Sequence, residues 1–276
     1  MLPISAGISF RPEHFHALMA QELPELWLEL HPENYLAPGG PRPRMLAALA
    51  GRFALSLHGV SLSLAGPERP DPAHLGLLAD LVRRLRPQQV SEHLAWSRLG
   101  ARYEPDLLPV RRDQATLWRT AAHIAEVQDA LGCTIAIENP GHYIALDGHD
   151  WDEPQFLAEL CQRTGCRLLI DISNLALSAH NLGTDAQAWL ASIAPARVAQ
   201  FHLAAYAEDP LLGAALRIDS HDGPVRADSW ALYRAALAHI GPRPTLIEWD
   251  QRSPTLAQLL AERQQAQRCL AAEGMA

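Results

Sequence analysis

Lysine is absent. All 23 basic residues of this 276-residue chain are arginine, so chemistry that needs an ε-amino group, a Schiff base above all, is closed to it. The bias is of the kind a GC-rich genome leaves. No stretch approaches the roughly 18 uninterrupted apolar residues of a membrane span. The start, Met1 to Gly7, lacks the basic residues and long apolar run of a secretion signal. A cytoplasmic protein without membrane contact is expected. There is no Gly-x-Gly-x-x-Gly and no P-loop, which removes the glycine-rich phosphate cradles. The four cysteines, Cys133, Cys161, Cys166 and Cys269, contain no Cys-x-x-Cys pair. They are expected to be reduced, mostly buried thiols. Basic runs are also missing, and the net charge is -8. Such a chain is a poor general binder of nucleic acid.

What remains is 48% hydrophobic and 20% charged, enough for one large domain over residues 1–276 with a substantial core. Histidine is abundant, at 13 residues. Short apolar, β-rich runs recur at Ile4–Phe10, Leu26–Leu30, Phe53–Leu57, Gln88–Ser91, Thr134–Ile137, Arg167–Ile170, Val198–Phe201 and Thr245–Ile247. Helical patterns lie between them. The clearest is Asp113–Leu131, with Leu117, Ala121, Ile124, Val127 and Leu131 on one face and Gly132 as a stop. Others run near Pro72–Leu85, Glu153–Cys161, Asp228–His239 and Pro254–Leu270, while Pro38–Pro43 and Pro67–Pro72 read as loops. Continuous apolar strands suit burial on both faces. Eight of them with helices between predict an α/β fold, a (β/α)8 barrel, with a doubly wound sheet as the alternative.

The strand ends carry the chemistry. Strand three ends in His58-Gly59, strand four in Glu92-His93, strand five in Glu138-Asn139-Pro140 and strand six in Asp171-Ile172-Ser173-Asn174. Strand seven ends in His202-Leu203 and strand eight in Glu248-Trp249-Asp250; the loop after strand seven adds Asp219-Ser220-His221. Strand C-termini of a parallel barrel share one mouth. Imidazoles and carboxylates gathered there suit zinc, iron or manganese. Each residue also has a plain structural use: Asp171 can cap the following helix, Glu138 can serve a turn, and Asp219 and His221 can be surface. Six chelating residues at six successive strand ends favour the metal. His14, His16, His74, His123 and His239 fit helical or solvated stretches. His142, His149 and His180 fit mouth-side loops that could touch substrate, and His31-Pro32-Glu33-Asn34-Tyr35 a segment that braces the strand-end donors or contacts substrate.

The motifs Leu57-His58-Gly59-Val60, Ser91-Glu92-His93-Leu94-Ala95-Trp96, Glu138-Asn139-Pro140, Phe201-His202-Leu203-Ala204, Asp219-Ser220-His221-Asp222 and Ile247-Glu248-Trp249-Asp250 resemble those of the multinuclear non-haem iron-dependent oxidative enzymes. That family includes the methanobactin biosynthesis oxidase, and the resemblance spans essentially the whole chain. It implies a xylose-isomerase-like TIM barrel. By the resemblance, His58, His93, Glu138 and Glu248 would hold one metal, and Glu138, Asp171, His202 and Glu248 a second, with both glutamates bridging. Asn174, Asp219 and His221 would form a third site, weakly held because the neutral amide of Asn174 is a poor ligand. Glu138, Glu248 and Asp171 would lie at the reacting centre.

The resemblance further implies an iron-dependent oxidoreductase using two or three iron ions, in mixed Fe(II)/Fe(III) states, and dioxygen. Its substrate would be a cysteine-containing, ribosomally made precursor peptide, presented by a small partner protein. Two other classes share the ligand order or the barrel. One is a zinc-dependent phosphodiesterase of the apurinic endonuclease kind; the negative charge and missing lysine weigh against it. The other is a sugar isomerase or epimerase, which usually has fewer ligands and often a lysine.

Overall fold

Each of the eight apolar runs forms a strand in the computed structural model, which describes residues 1–37, 39–100, 102–250 and 253–273. In chain order the strands are β1 (Ala6–Ser9), β2 (Trp27–Leu30), β3 (Ala54–Gly59), β4 (Gln89–His93), β5 (Trp96–Leu99), β6 (Arg102–Leu108), β7 (Ala136–Glu138), β8 (Arg167–Asp171), β9 (Val198–Leu203), β10 (Tyr206–Asp209), β11 (Gly213–Asp219) and β12 (Thr245–Ile247). Eight of them close a barrel in the order β1-β12-β9-β8-β7-β4-β3-β2. The chain is an α/β barrel, and the doubly wound alternative is excluded. The strands are buried along nearly their whole length, Trp27 to Leu30 and Val198 to Leu203 for example, as strands covered on both faces must be.

The helices are α1 (Phe15–Ala20), α2 (Arg42–Ala50), α3 (Pro72–Leu85), α4 (Gln114–Leu131), α5 (Glu153–Thr164), α6 (Ile172–Leu182), α7 (Ala186–Ala191), α8 (Ala227–Ile240) and α9 (Leu256–Glu273). The periodicity of α4 is real: Leu117, Ile124 and Val127 are fully buried, and Gly132 ends the helix at φ 67°, a conformation that costs glycine nothing. The proline patches are less loop-like than their composition predicts. Pro43 and Pro72 enter the first turns of α2 and α3, where a missing N–H is no loss; Pro38 lies outside the described residues. The sequence reading missed α1, α2 and α7, and it placed a helix after Asp171 without giving α6 a range. It also missed two antiparallel hairpins, β5–β6 and β10–β11, which follow barrel strands β4 and β9.

By internal contacts the chain divides into two compact units. The first holds Leu30–Pro140 and Leu146–Leu168, with Met1. In it, β3, β4 and β7 pair in parallel, with His58 opposite Ser91 and His93 opposite Glu138. The second holds Leu2–Glu29, Gly141–Ala145 and Leu169–Ala276. In it, β1 pairs in parallel with β2 and β12, and β12 with β9, placing Leu246 opposite His202. Gly7 of β1 lies under the indole of Trp27: a Cβ there would stand 2.3 Å from the ring, so the close approach requires glycine.

Candidate metal centre

In the first unit, three strand ends bring three donor atoms together. His58 Nε2 lies 3.0 Å from Glu138 Oε2, His93 Nε2 lies 2.9 Å from the same oxygen, and the two Nε2 atoms are 3.3 Å apart. Ligands about 2.0–2.2 Å from one ion stand about 3.0–3.5 Å from each other, so this triangle has the dimensions of a coordination face. The rings are turned to it by their other nitrogens. His93 Nδ1 lies 3.0 Å from the carbonyl oxygen of Gly59. A carbonyl only accepts, so Nδ1 carries the proton and Nε2 the lone pair. His58 Nδ1 is 2.8 Å from Ser91 Oγ, whose hydroxyl donates onward to the Leu57 carbonyl at 3.5 Å. His58 therefore also presents its lone pair at Nε2. Two lone pairs and a carboxylate oxygen, buried within about 3 Å of one another, repel unless a cation or protons stand among them. The donor set fits a metal ion.

Protons take that place when no metal does. Burial disfavours charge on His93, but the carboxylates of Glu138 and Glu92 and the Gly59 carbonyl outweigh it, lifting the imidazole to about 10. Glu92, its neighbour on β4, is 2% exposed. Burial, helped by the charge of Glu33, raises its carboxyl to about 8. A Cβ on Gly59 would stand 2.4 Å from Glu92 Oε2, so that glycine makes room for the carboxyl.

The second unit gathers Asp171, His221 and Glu248, each offering one donor atom within 4.8 Å of the others. His202 and Asp219 join by direct contact. Glu248 divides its oxygens: Oε2 is 3.2 Å from His202 Nδ1 and Oε1 is 3.6 Å from His221 Nδ1. His221 Nε2 is 2.7 Å from Asp219 Oδ1. Its backbone has φ 45°, a left-handed conformation unfavourable for histidine by about 1 kcal/mol. It is held there by its N–H on the Ala205 carbonyl and by the Asp250 N–H on its own carbonyl, at 2.9 and 3.0 Å. Burial again opposes charge on His221, and the carboxylates of Asp219 and Glu248 overcome it, so the imidazole is held well above its ordinary range. Burial raises Glu248 in turn, but His221 and His202 outweigh it and hold that carboxyl well below the usual range.

Asp171 takes the capping role and also lies in the donor group. At the start of α6 its Oδ1 accepts the Asn174 N–H at 2.6 Å. Asn174 is buried, with Oδ1 against Gly141, where a Cβ would stand 2.9 Å away. Two placements differ from expectation. His180 lies in α6 rather than in a loop, because α6 runs on to Leu182 before Gly183 ends it. Asp219 ends strand β11 rather than sitting in an open loop, since the hairpin pairs it with Tyr206. Sequence reasoning also passed over Glu29, Gln200 and Ser91, which touch His202 and His58. A glutamate inside the apolar run Trp27-Leu28-Glu29-Leu30 was the available signal.

Among known proteins, the family model "RiPP precursor modification enzyme MbnB/TglH/ChrH" matches residues 5–271. A UPF0276 protein of Caulobacter vibrioides (strain NA1000 / CB15N) is 46% identical over 267 residues, covering 97% of this chain and 95% of the relative. A UPF0276 protein of Bordetella bronchiseptica is 47% identical over 272 residues, covering 98% of this chain and 94% of the relative. Solved structures with the same architecture include D-psicose 3-epimerase from Clostridium cellulolyticum H10, with a TM-score of 0.59, 12% identity and 98% of both chains covered. Another is a xylose isomerase-like TIM barrel protein from Mycobacterium smegmatis, with a TM-score of 0.56, 16% identity and 86% and 80% of the chains covered. At such identities these structures show a shared fold and nothing of the reaction.

Proposed function

Because the chain belongs to the MbnB/TglH/ChrH family of RiPP precursor modification enzymes, we propose that it is a multinuclear iron-dependent oxidase that modifies cysteine residues of a ribosomally synthesised precursor peptide with dioxygen. The observation that carries this reading is the triangle of His58 Nε2, His93 Nε2 and Glu138 Oε2, with sides of 2.9 to 3.3 Å. The first unit would hold metal through those residues. The second would hold it through Asp171, His202, Asp219, His221 and Glu248, with Asn174 as a weak neutral ligand. Two or three iron ions are expected. Iron in such a nitrogen and oxygen environment supplies one-electron chemistry with dioxygen and takes a substrate thiolate as a soft ligand.

The chain's own residues supply orientation and a dry setting. Ser91 and the Gly59 carbonyl fix the rings of His58 and His93. Burial of Glu138, His202 and Glu248, at 1, 0 and 4% exposure, keeps water from competing for the centre. Asp219 and His221 are the open side, with side chains 18 and 17% exposed, and the peptide cysteine would enter there. A small partner protein would present the peptide.

The test compares iron-loaded with zinc-loaded protein, in air and without it, using the precursor peptide and partner, with peptide mass as the readout. Iron with oxygen should change the mass of a cysteine-containing peptide and leave its Cys→Ser form unchanged. Zinc protein that cleaves abasic DNA, while iron protein leaves the cognate precursor intact, overturns the reading in favour of the phosphodiesterase.

A further inference from the structure

Glu29 is a carboxylate inside an apolar strand. Trp27, Leu28 and Leu30 of β2 are 0 to 1% exposed and Glu29 itself only 4%. Burying a charge there is costly without partners. Its partners come from β9, where the two-residue period places Gln200 and His202 on one face, both 0% exposed. Glu29 Oε1 lies 3.1 Å from His202 Nε2. Glu29 Oε2 accepts from Gln200 Nε2 at 2.8 Å, and Gln200 Nε2 is 2.9 Å from His202 Nε2.

This arrangement selects a tautomer. Each ring nitrogen faces a carboxylate, which only accepts: Nε2 lies against Glu29 and Nδ1 against Glu248. Glu248 belongs to the donor group that would hold a metal, whereas Glu29 stands behind the ring, so the proton of neutral His202 is assigned to Nε2. The lone pair is then left on Nδ1, the atom that faces Glu248 Oε2 at 3.2 Å. A histidine that binds metal through one nitrogen and donates from the other to a carboxylate is oriented and made more basic by it. We propose that Glu29 is a positioning residue of the second cluster, holding His202 with its Nδ1 lone pair turned to the metal, and that Gln200 steadies the far oxygen of Glu29. The inference rests on the reading of that cluster as a metal centre.

Two measurements test it. Long-range proton–nitrogen NMR on metal-free, histidine-labelled protein, with His202→Gln to assign the signal, should find the His202 proton on Nε2. A proton on Nδ1 overturns the proposal. The second is anaerobic iron(II) affinity by chelator competition, with circular dichroism and a melting curve to show folding. Glu29→Gln keeps the shape but loses the charge, and should weaken binding about tenfold; Glu29→Met removes the acceptor and should weaken it about a hundredfold. Unchanged affinity in either folded variant overturns the proposal, and if Glu29→Met does not fold, Glu29→Gln decides. Unsubstituted protein that takes up no iron sinks the metal-centre reading instead; the tautomer, read without metal, then still decides whether Glu29 holds His202.

Discussion

The two clusters of candidate ligands use the same kinds of side chain to different ends. In the first unit, one carboxylate and two imidazoles meet at a single point, and no side chain of the three exceeds 10% exposure. Both rings face inward through Nε2 and are braced through Nδ1 by neutral groups, a serine hydroxyl and a backbone carbonyl. In the second unit carboxylates outnumber imidazoles. His202 faces inward through Nδ1 and is braced by a carboxylate, and Asp219 and His221 reach toward solvent on a hairpin edge and a strained turn. A closed, neutrally braced triangle suits a permanently held ion. An open, acid-rich cluster with a negatively charged brace suits an electron-rich ion that exchanges ligands.

The largest expected effect separates the clusters outright. Glu138→Ala removes the only anion of the first triangle and leaves two imidazoles facing each other. Its metal affinity should fall by more than the roughly 10–100-fold typical of lost outer partners, with peptide modification lost. Metal analysis of the folded variant checks this. Metal content equal to that of unsubstituted protein would break the comparison.

Next in size is the pH dependence of uptake. His93, ordinarily near 6.5, stands at about 10 in the folded protein without metal. Its protonated form therefore stabilises that state fully below 6.5, and the contribution is lost as pH rises through about 10. A metal must displace the proton. Affinity at the first cluster should therefore rise about tenfold per pH unit between 7 and 9, with one proton released per ion bound. Titration in weak buffer reads the proton, and uptake without proton release contradicts the assignment.

The acidic neighbour of the first triangle gives a smaller effect of the same sign. Glu92 is ordinarily near 4.5 and stands at about 8 when folded. Its burial costs nothing extra below 4.5, and the cost grows until about pH 8. At about 1.4 kcal/mol per unit this amounts to a few kcal/mol at most. Glu92→Gln should therefore melt increasingly above unsubstituted protein as pH is raised from 5 to 8. A constant difference across that range would show that Glu92 ionises as freely in the fold as outside it.

Much of this was legible in the sequence. All eight barrel strands were readable as apolar runs, because a strand buried on both faces leaves a continuous signature. Strands β3, β4, β7, β8 and β9 extend one or two residues beyond those runs, and the extra residues are largely the candidate ligands: β4 ends on His93 and β8 on Asp171. Donors buried at a strand end still complete its ladder, so polarity alone misplaces the boundary. The hairpins escaped because, among the described residues, β6 and β11 pair with β5 and β10 rather than with a barrel strand, so Arg102-Tyr103-Glu104 and Ala214-Ala215-Leu216 carry no strong burial pattern. Helix α6 was expected after Asp171 but its extent was obscured by its polar start, Ser173 and Asn174, which is buried. Glu29 and Gln200 were single polar residues in apolar runs, and only distance shows that each faces His202.

The smallest effect is also the cleanest probe of the open cluster. Asn174→Ala removes the one neutral amide that the family resemblance places beside Asp219 and His221. The cap of α6 is unaffected, because Asp171 accepts from the backbone N–H of residue 174, which alanine retains. Helix propensity improves slightly with the change, so the loss of stability should stay within about 1 kcal/mol. An amide oxygen is a weak ligand beside carboxylates. Iron at the second cluster should therefore exchange faster, by up to about tenfold, while metal in the His58–His93–Glu138 triangle stays put. Chelator-chase kinetics, with total iron per chain counted before and after, resolves the two populations. If Asn174→Ala drains the triangle as fully as Glu138→Ala does, the distinction between a closed and an open cluster fails.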